Sequence, residues 1–103
     1  MILTRILTTL PDTTSAQALG KALVTARLVA CAHVSAPGTS FYIWEGQEEH
    51  SPEVQLWLKT TPDRAAEAVA ELARRHPYDC PMILSDTVEA NPAYAAWVAE
   101  QVV

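Results

Sequence analysis

The chain has 103 residues and a net charge of −5, from 7 Lys+Arg against 12 Asp+Glu. Half of the residues are hydrophobic and 18% are charged, which excludes a disordered chain. With only Lys21 and Lys59 as lysines, a basic face for nucleic-acid phosphates is not expected. No apolar run reaches the ~18–20 residues of a membrane-crossing helix. The N-terminal MILTRILTTL lacks a basic leader and a small-residue cleavage site, so a cytoplasmic protein is expected. A single domain of this size has a radius of gyration of about 13 Å. It holds one core and no deep cavity, which places any sizeable pocket on a sheet face or between subunits.

In chain order, Ile2–Thr9 is β-branched and apolar and stops at Pro11-Asp12, a strand. Thr14–Leu28 spaces Ala16, Leu19, Leu23 and Ala26 by three and four, a helix with Gly20 inside it and Thr13, Thr14 or Ser15 as its cap. Ala30–Ala36 alternates, with Cys31, His33 and Ser35 on one face and Ala32, Val34 and Ala36 on the other. Pro37-Gly38 breaks or bulges this strand. It resumes as the aromatic run Thr39–Trp44, and Glu45-Gly46 turns the chain. Gln47–Pro52 reads as a polar tip. Glu53–Thr61 then alternates Val54, Leu56 and Leu58 against Gln55, Trp57 and Lys59, an antiparallel return strand. Thr61-Pro62-Asp63 signals a helix start, Ala66, Val69, Leu72 and Ala73 form its apolar stripe, and Arg74-Arg75-His76-Pro77 ends it. Tyr78–Pro81 is a loop, Met82–Val88 a strand, and Asn91-Pro92 opens a short helix over Ala93–Val102.

The order predicts an α+β, ferredoxin-like split β-α-β sandwich. It comprises βαββαβ plus a C-terminal helix, as one domain over 1–103, with an antiparallel sheet and helices on one face. The uncovered face would carry Trp57, Cys31, His33 and part of Phe41–Trp44. A large aromatic there marks a surface buried by other copies of the chain, with Trp57, Tyr42 and Trp44 as the contacts.

Two constellations suggest chemistry. Cys31 and His33 share a strand face, and a thiol plus an imidazole suits copper or zinc. His76 is a third candidate ligand, and the rest of the set would come from other copies of the chain. The plainer alternative is a core cysteine beside a satisfied imidazole. The acidic stretch Glu48-Glu49-His50 with Glu53 is a further cation candidate, or a solvated turn. The second constellation is an inter-subunit pocket lined by Cys31, Trp44, Glu45, Lys59, His76, Tyr78 and Asp79. In structural terms, His76 would close its helix and Lys59 would pair with an acid. No CxxC, HExxH, GxGxxG or P-loop is present.

Three stretches carry a resemblance: Leu28-Val-Ala-Cys-Ala32, Tyr42-Ile-Trp-Glu-Gly46 with Val54–Thr60 behind it, and His76-Pro-Tyr-Asp-Cys-Pro81. Leu7–Asp12 and Asn91–Trp97 fit the same pattern. Together they resemble the CutA family of divalent-cation tolerance proteins across nearly the whole chain. The resemblance implies a ferredoxin-like homotrimer, related in architecture to the PII signalling proteins, and an association with metal tolerance, copper most often. It brings no settled reaction. Two positions depart from the family: Gln47 stands where a basic residue is usual, and Met82 where a Glu is usual. Three functions follow as expectations. The first is a trimer binding a divalent metal or small ligand at subunit junctions. The second is an interaction platform docking a protein partner through residues 47–51. The third is an enzyme using Lys59, His76 and Tyr78.

Overall fold

In the computed structural model, which describes residues 1–103, eight elements follow one another: β1 (Ile2–Leu10), α1 (Thr13–Thr25), β2 (Cys31–Val34), β3 (Gly38–Trp44), β4 (Gln47–Thr60), α2 (Ala65–Arg75), β5 (Ile83–Glu89) and α3 (Pro92–Gln101). The main sheet runs β2-β4-β1-β5, and every pairing in it is antiparallel. This is the ferredoxin-like arrangement read from the sequence, with β3 added as a partner of β4 alone.

Alternation decides the two faces. Ile6, Leu10, Val54, Leu56 and Leu58 are buried with Ala16, Leu19 and Leu23 of α1 and Ala68 and Leu72 of α2. Gly20 is what lets α1 approach: a Cβ there would lie 2.9 Å from the Ala32 Cβ and 3.1 Å from Leu56 Cδ1. The helix starts differ from the sequence reading. Asp12, not a threonine, caps α1, its Oδ1 accepting from the Ser15 N–H and Oγ at 2.7 Å each. Residues 62–64 form a turn, so α2 begins at Ala65 and Thr61 makes no capping bond. Consequently Ala68, Val69 and Leu72 face the core, while Ala66 and Ala73 are exposed. α1 ends at Thr25. Arg27, at φ 59°, turns the chain out of it as the Leu28 N–H reaches back to the Leu23 carbonyl at 3.2 Å.

The third helix corrects the expectation of helices on one face only and a bare second face: α3 packs on the face opposite α1 and α2, because Ala95 and Val98 offer an apolar stripe to Leu3 and Ala30. Leu3, Ala30, Ala95 and Val98 form a second buried cluster there, flanked by Val88, Tyr94 and Val102. Its cover is partial, since Leu84 remains 55% exposed.

The polar tip expected over Gln47–Pro52 is strand instead. Glu45 (φ 51°) and Gly46 (φ 79°) make the two-residue turn, and Trp44 pairs with Gln47 through to Gly38 with Glu53. A turn with both central residues at positive φ twists as the strands do, so it imposes strand pairing on weak β formers opposite. Residues 47–51 are therefore one strand of a ribbon, and the tip is Glu45-Gly46. Between the β2 and β3 pairings the register shifts by one residue at Ser35–Pro37, a bulge. Ser35 holds it, donating from its N–H to the Gln55 carbonyl and accepting the Gln55 N–H on Oγ, both at 2.9 Å. The ribbon projects beyond the helices. The molecule measures 45 × 24 × 23 Å, and its radius of gyration is 14.3 Å, above the value for a sphere-like chain of this length.

Candidate functional site

Three groups of the expected pocket residues occupy three places. The first is the sheet end where α2 stops. His76 follows the last turn of α2 and is 9% exposed. Its Nδ1 accepts the Tyr78 backbone N–H at 3.1 Å. A nitrogen that accepts carries no proton, so the proton sits on Nε2, which donates to the Thr9 carbonyl at 2.9 Å beside Thr8 Oγ1 at 3.0 Å. Burial lowers the His76 pKa, opposed by the Thr9 carbonyl and the Glu53 charge, so the ring is neutral at neutral pH. The Tyr78 ring packs beside it at a tilt of 47°, ring centroids 5.0 Å apart. Its hydroxyl donates to Glu53 Oε2 at 2.8 Å. Burial, then that carboxylate, raises the phenol pKa. Glu53, grouped by the sequence with a cation-binding loop, is thus the partner of Tyr78 at the ribbon root. Asp79 and Cys80 are exposed in the same loop.

The second place is the sheet face turned away from α1 and α2. Paired positions put Cys31, Lys59, Arg5 and Asp86 in one row, and His33, Trp57, Leu7 and Leu84 in the next. The alternation read from the sequence is therefore correct for Cys31, His33, Trp57 and Lys59. Arg5 donates to Asp86 through Nε at 3.2 Å and Nη2 at 2.7 Å. The Arg5 side chain lies 5.5 Å over the Trp57 ring, and Trp57 Nε1 donates to Gln55 Oε1 at 3.2 Å. A shallow depression of about 340 Å³ lies among Arg5, Leu7, Trp57, Leu84, Ser85 and Asp86. Cys31 Sγ is 3.4 Å from the Tyr94 hydroxyl, and Tyr94 stacks on Trp97 at 5.8 Å. Burial and the cysteine push the Tyr94 phenol up to about 12. Tyr94 escaped the sequence reading because no local pattern reports which face a terminal helix covers.

The third place is the ribbon end, with Trp44 and Glu45. Seven residues of β3 separate it from the root, roughly 20 Å at strand rise. One chain therefore does not assemble the pocket read from the sequence.

The metal set is divided in the same way. His33 and Cys31 share a face, whereas His76 lies at Thr8–Thr9 on the other, with both ring nitrogens engaged. Glu48, Glu49 and His50 sit on successive, alternating positions of β4, and the His50 ring packs against Phe41 at 5.7 Å. No three His, Cys, Asp or Glu side chains of one chain converge to hold a metal ion. A single copy thus does not fit an ion, offering at most the Cys31–His33 pair on one face.

Comparison with known proteins agrees with this architecture. The family described as CutA1 divalent ion tolerance protein matches residues 4–101. The Divalent-cation tolerance protein CutA of Pyrococcus horikoshii is 38% identical over 97 residues, covering 93% of this chain and 94% of its own. The crystal structure of the divalent ion tolerance protein CutA1 from Ehrlichia chaffeensis superposes with a TM-score of 0.93 at 31% identity, covering 96% of this chain and 94% of that one. The Archaeoglobus fulgidus structure, titled a periplasmic divalent cation tolerance protein CutA, gives 0.92 at 29% identity over 98% and 99% of the two chains. No helix here is long and apolar enough to cross a membrane. With the fold, the sheet order and nearly the whole sequence in agreement, this chain belongs to the CutA1 family of divalent ion tolerance proteins.

Proposed function

We propose that this divalent-cation tolerance protein works in the cytoplasm as a homotrimer of PII-like architecture, taking up a divalent cation, copper first, or a small ligand in the clefts between subunits. The observation that carries the reading is the ribbon. Phe41 and Ile43, 80% and 66% exposed, lie on one face of it; Tyr42 and Trp44, 40% and 50% exposed, lie on the other. A ribbon laid on a single surface buries one face. Apolar side chains on both faces suit a ribbon held between two other copies, which favours three subunits over two. Covering them contributes on the order of several kcal/mol per subunit at ~25 cal/mol/Å² before association costs. The free backbone edge of β3 offers pairing to the same neighbours. Such packing would bring a ribbon end, with Trp44 and Glu45, toward the sheet-face and sheet-end groups of another copy. Donors such as Cys31 and His33 would then be completed from a second chain.

Sedimentation equilibrium tests the assembly: three chain masses are expected, and a folded single chain at dilute, near-physiological conditions refutes it. Trp57→Glu, on the open face, is expected to split the trimer. Calorimetric titration with copper and with zinc tests the ion; a flat trace at micromolar concentrations removes the metal half of the reading.

A further inference from the structure

The open sheet face carries a charge arrangement that a cation site does not explain. Across it, Cys31 of β2, Lys59 of β4, Arg5 of β1 and Asp86 of β5 stand in one row. The row holds two cations and one anion. Arg5 is committed to Asp86 by two hydrogen bonds. Lys59, half-buried on an interior strand, takes part in none of the chain's ion pairs. Lys21 and Arg27 are also outside these ion pairs but are exposed, so Lys59 is the one half-buried base without a carboxylate in its own chain. A divalent cation at Cys31 would lie one strand away from that ammonium and be repelled by it.

The surroundings suit a ligand of opposite sign. On one side of Lys59, the Tyr94 hydroxyl lies 3.4 Å from Cys31 Sγ. When the thiol donates to the phenol oxygen, the phenol proton is free to point onward to an acceptor. On the other side, the depression of about 340 Å³ is lined by Leu7, Leu84, Trp57, Ser85 and the Arg5–Asp86 pair, whose carboxylate is already held by the guanidinium. Polar donors beside an apolar hollow are the composition of a small-ligand site. We propose that this row is an anion subsite, in which Lys59 and the Tyr94 hydroxyl hold the carboxylate or phosphate of a small organic anion whose apolar part lies against Trp57, Leu7 and Leu84. It refines the small-ligand half of the function proposed above, resting on that reading only for the extra enclosure that neighbouring copies provide.

The test uses the intact chain with inorganic phosphate and with succinate as probes, read by calorimetry and by thermal melting. At least one probe is expected to bind at millimolar concentrations or tighter, more weakly as salt is added. Lys59→Gln is expected to weaken binding by about 10-fold or more, as befits the loss of a charge-assisted hydrogen bond. Lys59→Arg restores it, and Lys21→Gln, on the exposed side of α1, leaves it unchanged. The proposal is overturned if neither anion binds, or if Lys59→Gln binds as the unaltered chain does. The same samples are sized by sedimentation and titrated with copper. A single chain that binds anions through Lys59 refutes the trimer and leaves the subsite standing. A copper-binding trimer indifferent to both anions does the reverse.

Discussion

β4 passes through two environments. Over residues 54–60 it is flanked by β1 and β2, and Val54, Leu56, Leu58 and Thr60 are at most 1% exposed. Over residues 47–53 it is paired with β3 alone, and its side chains face solvent or the edge of the molecule. Hydrogen bonding is regular in both halves, so the ladder does not distinguish them. What distinguishes them is cover: α1 and α2 lie over the first half and nothing from the same chain lies over the second. A two-stranded ribbon is marginal in water by itself. Its order derives from the sheet it continues and from whatever packs on its aromatics.

The largest test of this contrast is a pair of truncations. Leu56→Ala, in the covered half, is expected to cost about 2–5 kcal/mol in urea unfolding, the range for a buried leucine that leaves a cavity. Phe41→Ala, on the ribbon, is expected to leave unfolding of the separated subunit within about 0.5 kcal/mol while weakening assembly by sedimentation. Equal losses of subunit stability at both positions would erase the distinction.

Next comes Gly20→Ala. The added methyl meets the Ala32 Cβ at 2.9 Å, an overpacking expected to cost about 1–3 kcal/mol. Ala32→Gly in the same chain should recover part of it, because it removes the atom that is struck.

His76 links the two regions through Tyr78 and Glu53, and its effect depends on pH. The folded pKa lies below the ordinary 6.5, with burial as the main cause. The unfolded chain therefore takes up the proton first. The stabilisation is complete above about 6.5 and declines as pH falls from there toward the folded value, by at most ~1.4 kcal/mol per pH unit. Unfolding measured between about pH 7.5 and 5.5 should show a gap between the unaltered chain and His76→Gln that narrows toward acid. A gap that widens instead would contradict the neutral, buried imidazole.

The smallest effect is at the ribbon tip. Glu45 occupies φ 51°, a region that asparagine tolerates better. Glu45→Asn is expected to stabilise by roughly 0.5 kcal/mol, seen as slower amide exchange across Trp44–Gln47. A loss of protection would mean that the Glu45 side chain has a partner in the assembled protein.

Much of the fold was legible because it is periodic. Alternation with period two assigned Cys31, His33, Trp57 and Lys59 to one face and Val54, Leu56 and Leu58 to the other, and each assignment agrees with the pairing. Glu45-Gly46 announced its turn by composition. The stretch Gln47–Pro52 was illegible as strand since Gln, Glu and Pro are poor β formers; the partner strand's register, not its own propensity, makes it extended. The start of α2 was misplaced because Thr61-Pro62 fits a cap equally well one turn early. The candidate site was not legible as a set: His76 and Tyr78 lie at the sheet end and Lys59 on the open face, a separation that depends on how elements far apart in sequence pack.

The amino-acid order alone determined the ferredoxin-like plan and the faces of β2 and of the covered half of β4, because these follow from local period and turn chemistry, while the family showed in the resemblance of whole stretches. Only the tertiary structure decided that α3 covers the second face and brings Tyr94 to Cys31, that Tyr78 answers Glu53 across the ribbon root, and that Lys59 stands without an acid. Those are contacts between residues widely separated along the chain, and no short-range rule specifies which of several compatible surfaces a helix or loop will meet.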